Sequence, residues 1–242
     1  LMDPVTYPSR KRHVHVVFGT RPEAIKMAPV VHALTAKAAL QTRVCVTAQH
    51  RQMLDQVLQL FDIKPDVDLD IMKAHQGLAD VTSRVLLGLR DLFTRDRPDA
   101  VLVHGDTTTA FACAMAAFYA GIPVGHVEAG LRTFNVHAPF PEEFNRQVIS
   151  KVASLHFAPT EGSKANLLAE RVDPDAVYVT GNTVIDALHW TLDRLAQKSK
   201  PCPVTKRLDA LLPFDWQTER FILMTGHRRE NFGDGFVRIC DA

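Results

Sequence analysis

From Val14 onward, short apolar runs alternate with longer segments that have helical propensity. Apolar runs without a polar alternation are typical of parallel strands buried on both faces. The pattern predicts strands near Val14–Phe18, Arg43–Thr47, Ala100–His104, Pro123–Val127, Leu155–Ala158, Val177–Thr180 and Phe221–Met224. It predicts helices near Glu23–Lys37, Met53–Phe61, Gly77–Arg95, Thr107–Tyr119, Glu142–Val152, Ser163–Arg171 and Val184–Gln197. This alternation predicts an α/β fold with right-handed crossovers and a mostly parallel, Rossmann-like sheet.

The segment Lys198–Thr218 breaks the alternation, because it contains three prolines and mixed charges. We expect it to be an interdomain linker or a surface excursion. The strand at Phe221–Met224 and a helix from about Gly235 then open a second α/β domain, inside which we expect the chain to stop. The predicted organisation is an N-terminal tail at 1–12, an N-terminal Rossmann-like domain at 13–181, and a region at 182–242. That last region comprises a bridging helix, the linker and the incomplete start of a C-terminal Rossmann-like domain.

Composition narrows the class of protein. The chain has 242 residues, 46% of them hydrophobic and 23% charged, and a net charge of +1, so no electrostatic argument favours nucleic acid or an anionic membrane. Apolar stretches fall short of the roughly 20 residues that span a bilayer. The four cysteines are far apart in sequence and are expected to be reduced, mostly buried thiols of a cytoplasmic protein.

Polar residues follow the predicted strands at their carboxyl ends. In Val101–Thr109 an apolar run stops at Gly105 and is followed by Asp106 and three threonines, which is typical of a strand, a tight turn and a helix start. Similar turns occur within Val14–Glu23, Pro123–Arg132, Tyr178–Asp186 and Phe221–Glu230. The carboxyl ends of parallel strands meet at one edge, where ligands bind, so these turns are expected to converge on one crevice.

Each candidate residue in these turns has a structural alternative. Asp106 could serve chemistry or simply cap the following helix. Glu128 is harder to explain structurally, since a carboxylate at the end of a buried strand is costly unless it is paired or used. Glu142 and Arg146 share a helix face and could form only a surface ion pair.

The remaining candidates are cations and histidines. The turn at Gly19 and the following helix could bind an anion with Arg21 and Lys26, or could be an ordinary turn. His227, beside two arginines, suits a phosphate or a leaving group. Histidines at the strand ends are expected in the core or at its rim, and His13 and His15 alternate along the first strand beside no chemical group. No zinc-type spacing, Walker loop, dinucleotide fingerprint or serine-hydrolase elbow occurs.

Seven ordered blocks carry a family resemblance; two of them read Val-His-Gly-Asp-Thr-Thr-Thr at 103–109 and His-Val-Glu-Ala-Gly-Leu-Arg-Thr at 126–133. The others are Phe18–Pro29, Thr47–Leu54, Pro141–Arg146, Thr180–Ala187 and Thr225–Asn231. From about His13 to its end, the chain closely resembles the non-hydrolysing UDP-N-acetylglucosamine 2-epimerases.

The resemblance implies reversible conversion of UDP-N-acetylglucosamine to UDP-N-acetylmannosamine, for cell-surface polysaccharide precursors. It implies a GT-B-like architecture of two Rossmann-like domains, with the second truncated here. UDP would leave by elimination across C1 and C2, and would add back after protonation of the opposite face of C2. The resemblance further implies a homodimer and no metal or other cofactor.

The resemblance also implies roles for individual residues. The catalytic positions are Asp106, Glu128, Glu142, Arg146 and His227, with the first two near C2, Glu142 near the reacting sugar and His227 at the departing diphosphate. The substrate-binding positions are Arg21, Lys26 and Arg228. Gln49, Gln52 and Gln76 match positions that hold UDP-N-acetylglucosamine as an allosteric activator in some members. His75 stands where some of those members have arginine, so activation stays open.

Three alternatives remain at this point: a GT-B glycosyltransferase, a hydrolysing epimerase that releases free N-acetylmannosamine, and an inactive fragment that binds nucleotide sugars. In the family, the second domain continues well beyond Ala242 with uracil, ribose and diphosphate contacts. The expectation is therefore that the 242-residue chain alone binds UDP-sugar weakly and turns over little or not at all.

Overall fold

Seven parallel strands form one sheet in the computed structural model, which describes residues 10–47, 51–71, 73, 76–196, 203–224 and 237–238. The strands are β1 Arg12–Phe18, β2 Leu40–Val46, β3 Val67–Asp68, β4 Ala100–His104, β5 Val124–Val127, β6 Leu155–Ala158 and β7 Val177–Val179. Their order across the sheet is β3-β2-β1-β4-β5-β6-β7. The strand order therefore reverses direction between β1 and β4, and the crevice at such a switch point is where open α/β sheets bind ligands.

Helices cover both faces of this sheet. The helices of the described residues are α1 Arg21–Thr35, α2 Arg51–Leu60, α3 Leu78–Arg95, α4 Thr108–Tyr119, α5 Glu142–Val152, α6 Glu161–Ala169, α7 Thr183–Ala196 and, in a separate compact unit, α8 Pro203–Leu211; a 3₁₀ turn lies at Pro174–Ala176. One core cluster packs α3 and α4 against the sheet, and a second packs α1 and α2 against the other face. The strands that the sequence predicts between Val14 and Val179 are thus confirmed as a Rossmann-like parallel sheet.

Three elements differ from the prediction. The two-residue strand β3 was not predicted, because so short a run carries no periodic signal. Helix α8 lies inside the segment predicted as a linker. Its first residue is Pro203, and proline is tolerated in a first helical turn, where its missing N–H has no intrahelical role.

The predicted strand at Phe221–Met224 is wrong. The segment has no regular secondary structure, and Ile222 is 94% exposed. An apolar run becomes a strand only where a neighbouring strand satisfies its backbone, and no strand of the described part of the chain pairs with this one.

The chain divides into two compact units, Leu1–Leu192 and Asp193–Ala242. The first contains the whole sheet. In the second, α8 is followed by a turn in which Trp216 Nε1 donates to Asp209 Oδ1 at 2.8 Å. No helix among the described residues is both long and apolar enough to cross a membrane. Cys45 and Cys113 are free, buried thiols, and burial raises the pKa of Cys45 to about 12.

Candidate active site

The turns that follow β1 and β4 flank the switch point of the sheet. Gly105 has a φ of +63°, which lets the chain turn sharply after β4. Each following helix is capped by a threonine: Thr20 Oγ1 accepts from the Glu23 N–H, and Thr107 Oγ1 accepts from the Ala110 N–H at 3.0 Å. Both helices therefore begin at the same edge of the sheet.

A buried carboxylate joins these two turns. Glu23 is 1% exposed, and its Oε2 accepts from the backbone N–H groups of Gly19 at 3.0 Å and Thr20 at 2.8 Å. Its Oε1 accepts from the hydroxyl of Thr107 at 2.6 Å. Because charge-assisted hydrogen bonds are strong, Glu23 holds the first turn against the residue that follows Asp106.

Asp106 is not the cap of α4, since Thr107 takes that role. Its Oδ2 lies 3.0 Å from Arg146 Nη2, and its backbone carbonyl accepts from Asn145 Nδ2 at 2.8 Å. Burial raises the pKa of Asp106; the charge of Arg146 opposes that rise, and the neighbouring carboxylates Glu142 and Glu128 add to it. Asp106 is thus a carboxyl group that binds its proton more tightly than an exposed aspartate.

Glu128 follows β5 with a φ of +62°, in the left-handed region that non-glycine residues rarely adopt. Lys26 Nζ donates to both carboxylate oxygens, at 2.8 and 2.6 Å. His104 Nε2 lies 3.6 Å from Oε2, beyond hydrogen-bond length, so we regard Lys26 as the firmer partner. Burial would raise the pKa of Glu128, but His104 and Lys26 outweigh it and lower the pKa to about 2.

Helix α5 brings Glu142, Glu143 and Arg146 to the same region. Within the described residues, the ion pairs of Arg146 are with Asp106 and with Glu143 at 3.4 Å, while its Nε donates to the backbone carbonyl of Glu142 at 3.3 Å. The alternative of a surface ion pair between Glu142 and Arg146 is therefore wrong. The side chain of Arg146 is only 11% exposed and reaches across to the turn after β4.

Glu143 has a structural role that Glu142 does not share. It is fully buried, and its two oxygens accept from the backbone N–H groups of Thr133 and Phe134, both at 3.0 Å. Burial would raise the pKa of Glu143, but these hydrogen bonds, that of Gln147 and the charge of Arg146 lower it. The carboxylate thereby fixes the segment that leads from Glu128 to α5.

The structure brings together five of the residues that the sequence singles out: Lys26, Asp106, Glu128, Glu142 and Arg146. Arg21 is the first residue of α1 and is exposed. The amide of Gln76 bonds its own loop, donating to the Ile71 carbonyl and accepting from the Lys73 N–H, both at 2.8 Å. Gln52 lies on α2. Gln49, His75, His227 and Arg228 lie outside the described residues.

Two histidines at the strand ends belong to this region. His104 is 4% exposed, as expected of a core residue, and its Nε2 lies 3.6 Å from Glu128 Oε2. His126 is fully buried, and its Nε2 is 2.7 Å from the carbonyl oxygen of Gly105. Burial lowers the pKa of His126 to about 3, so the neutral ring donates this bond and supports the turn. In the sequence, the position of these two histidines at the ends of apolar strands was the feature that could indicate their place beside the site.

The site therefore holds two neighbouring carboxylates with opposite pKa shifts. Such a pair allows one group to carry a proton while the other remains ionised. The cations of Lys26 and Arg146 compensate the negative charge. In the described part of the chain, the side chains close enough to share a metal ion are His13, His15 and Asp96. They lie near the other end of β1, and not among these carboxylates.

Comparison with known proteins places this arrangement in a family. A family model described as UDP-N-acetylglucosamine 2-epimerase matches residues 32–242. A "Probable UDP-N-acetylglucosamine 2-epimerase" of Ralstonia solanacearum is 58% identical over 229 residues, which cover 95% of this chain and 60% of that protein. The chain thus spans about 60% of the length of that curated relative.

Solved structures agree with the sequence comparison. The UDP-GlcNAc 2-epimerase of Neisseria meningitidis, solved bound to UDP-GlcNAc, is similar with 54% identity and a TM-score of 0.76. The match covers 82% of this chain and 53% of that one. At the level of the fold alone, a lipopolysaccharide outer core galactosyltransferase is similar with 12% identity and a TM-score of 0.51. The chain belongs to the UDP-N-acetylglucosamine 2-epimerase family.

Proposed function

We propose that the protein interconverts UDP-N-acetylglucosamine and UDP-N-acetylmannosamine by elimination and re-addition of UDP. The observation that carries the proposal is the pair Asp106 and Glu128, whose pKa values move in opposite directions at the switch point of the sheet. Family membership supports the choice of substrate, since a relative in this family was solved with UDP-GlcNAc bound.

The chemistry requires groups of this kind. The proton at C2 is weakly acidic, so departure of the diphosphate from C1 leads and builds positive charge on the sugar ring. Preorganised carboxylates stabilise such charge. Glu128 stays ionised at all physiological pH values and suits this electrostatic role. Epimerisation removes a proton from one face of C2 and returns a proton to the opposite face, so it uses more than one acid or base.

Asp106 is the residue that we assign to proton transfer at C2. Its raised pKa brings it closer to the working pH, which is the condition for efficient general acid–base catalysis. Glu142 completes the set near the reacting sugar, and Arg146 holds Asp106 in place at 3.0 Å. Arg21, Lys26 and Arg228 contribute to substrate binding, and His227 meets the departing diphosphate. No metal or other cofactor takes part.

The wider biology is part of the same proposal. We propose that the protein is a cytoplasmic homodimer that supplies polysaccharide precursors. Activation by UDP-N-acetylglucosamine would use Gln49, Gln52 and Gln76. We propose the domain division that the sequence predicts, with a boundary near residue 181.

Proton NMR of UDP-N-acetylglucosamine in deuterated water tests the proposal. The full-length protein should incorporate deuterium at C2 and form the manno epimer reversibly. Irreversible release of UDP with free N-acetylmannosamine would instead identify a hydrolysing epimerase, and saturable binding without exchange would identify a binding protein. The same assay on the 242-residue chain measures how much catalysis these residues support alone.

Substitution of Asp106 tests whether this residue takes part in the proposed proton transfer. D106N should reduce the exchange rate by about 10²-fold or more, the usual contribution of a general acid or base. The matched control is E161Q, at an exposed glutamate in the first turn of α6, which should retain the wild-type rate. Equal rates in D106N and the wild type would refute the role of Asp106.

A further inference from the structure

Two histidines and an aspartate meet near the amino end of β1, away from the carboxylates of the candidate active site. His13 and His15 are two residues apart on β1 and so point to the same face of the sheet. Asp96 ends α3 as its C-terminal cap and faces them. The distances are 3.6 Å from His13 Nδ1 to Asp96 Oδ1 and 3.1 Å from His15 Nε2 to Asp96 Oδ2.

These histidines are unusually buried for polar side chains. His15 is fully buried and His13 is 8% exposed. Their rings contact each other edge to face, with centroids 4.7 Å apart, and Phe93 lies beside His15. His13 Nδ1 and His15 Nε2 are the ring nitrogens that face Asp96, whereas the opposite nitrogens, His13 Nε2 and His15 Nδ1, are buried without a hydrogen-bond partner among the described residues.

We propose that His13, His15 and Asp96 bind one zinc ion. One ligand atom from each residue lies within 4.8 Å of the other two. Ligands about 2 Å from a tetrahedral zinc stand roughly 3.3 Å apart, so a modest contraction completes the geometry. Two imidazoles and one carboxylate are ligands that Zn²⁺ accepts, and a water molecule would take the fourth position.

Two of the three proposed ligands are partly exposed. Asp96 and His13 give access from solvent, because their side chains are 26% and 10% exposed.

Arg43 limits the affinity of this site. It lies opposite His15 on β2, and its Nη1 is 2.7 Å from Asp96 Oδ2. The guanidinium repels a cation, although at 38% exposure its charge is partly screened by water. Because Arg43 bonds Asp96 Oδ2, the oxygen available to the metal is Asp96 Oδ1, which faces His13. Replacing Arg43 should therefore strengthen metal binding, whereas replacing a ligand should weaken it.

Titration of the chelator-treated protein with Zn²⁺ alone, by calorimetry and by thermal unfolding at pH 7.5, tests the proposal. The wild type should bind zinc at this site and unfold at a higher temperature when zinc is present. H15L and D96N should bind at least about tenfold more weakly and lose the thermal shift. H15L should fold well without zinc, since leucine suits a buried position, which separates lost binding from lost folding.

Two further variants sharpen the test. H137Q, at an exposed histidine, is the matched control and should bind zinc as the wild type does. R43Q should bind zinc a few-fold more tightly. Co²⁺ in place of zinc should give the visible absorption of a four-coordinate site in the wild type but not in H15L. Equal zinc affinity in the wild type, H15L and D96N, or the absence of a zinc-dependent thermal shift in the wild type, would overturn the proposal.

Discussion

The bond between Lys26 and Glu128 allows a quantitative test of how the site is held together. The pKa of Glu128 falls from 4.5 to about 2, and a shift of this size corresponds to about 3 kcal/mol of stability. The folded-state pKa lies below the unfolded one. The stabilisation is therefore fully present above pH 4.5 and is lost as the pH falls towards 2.

Lys26 and Glu128 should show strong coupling in a double-mutant cycle. K26M leaves a largely buried carboxylate without its main partner and should destabilise the chain by about 2–3 kcal/mol at pH 7. E128Q should cost about 1 kcal/mol, because the Lys26 side chain is 24% exposed and can reach water. The double variant removes both charges and should cost less than the sum of the two, with a coupling of about 2 kcal/mol.

Urea denaturation followed by far-ultraviolet circular dichroism provides the assay, at pH 7 and again near pH 3. The stability difference between the wild type and K26M should shrink at the lower pH, because the wild type loses the contribution of Glu128 there. Additive effects of the two substitutions, within about 0.5 kcal/mol, would refute the reasoning. So would a stability difference that does not change with pH.

The structure also predicts the effects of two other substitutions, one on stability and one on the pH dependence of activity. G130A should destabilise the protein by about 2 kcal/mol or more beyond G181A. Both glycines have positive φ, but a Cβ at Gly130 would lie 2.2 Å from the Ser163 carbonyl oxygen, whereas a Cβ at Gly181 would meet open space. Equal urea midpoints for the two variants would contradict this prediction. Arg146 opposes the rise in the pKa of Asp106, so R146M should raise that pKa further and move the acidic limb of the pH profile of kcat/KM to higher pH. An unchanged acidic limb would exclude Asp106 as the ionised base.

The sheet and the place of the site could be predicted from the sequence because both depend on local patterns. Apolar runs identify buried strands, and the polar residues that end them must meet at one edge of a parallel sheet. Asp106 and Glu128 were found in this way. By contrast, β3 has only two residues, and its pairing depends on the register with β2, which no local pattern encodes.

Partners distant in sequence could not be predicted. Glu23 stands at the N3 position of a capping box that begins at Thr20, and its bond to Thr107, 84 positions away, exists only in the folded sheet. The approach of Asp96 to His15 spans 81 positions and depends on where α3 ends. An ion pair between Glu142 and Arg146 was an alternative from helix spacing, but tertiary geometry directs Arg146 to Asp106 instead.

The opposite pKa shifts of Asp106 and Glu128 follow from the charged groups that surround each carboxylate. Both residues follow adjacent strands at one edge, and burial raises the pKa of each. Lys26 donates to both oxygens of Glu128, whereas Arg146 pairs with one oxygen of Asp106 and also with Glu143. His104 also lowers the pKa of Glu128, whereas the carboxylates Glu142 and Glu128 raise the pKa of Asp106, so Arg146 does not offset the burial of Asp106. Exchanging the two environments should therefore exchange the roles of the two acids.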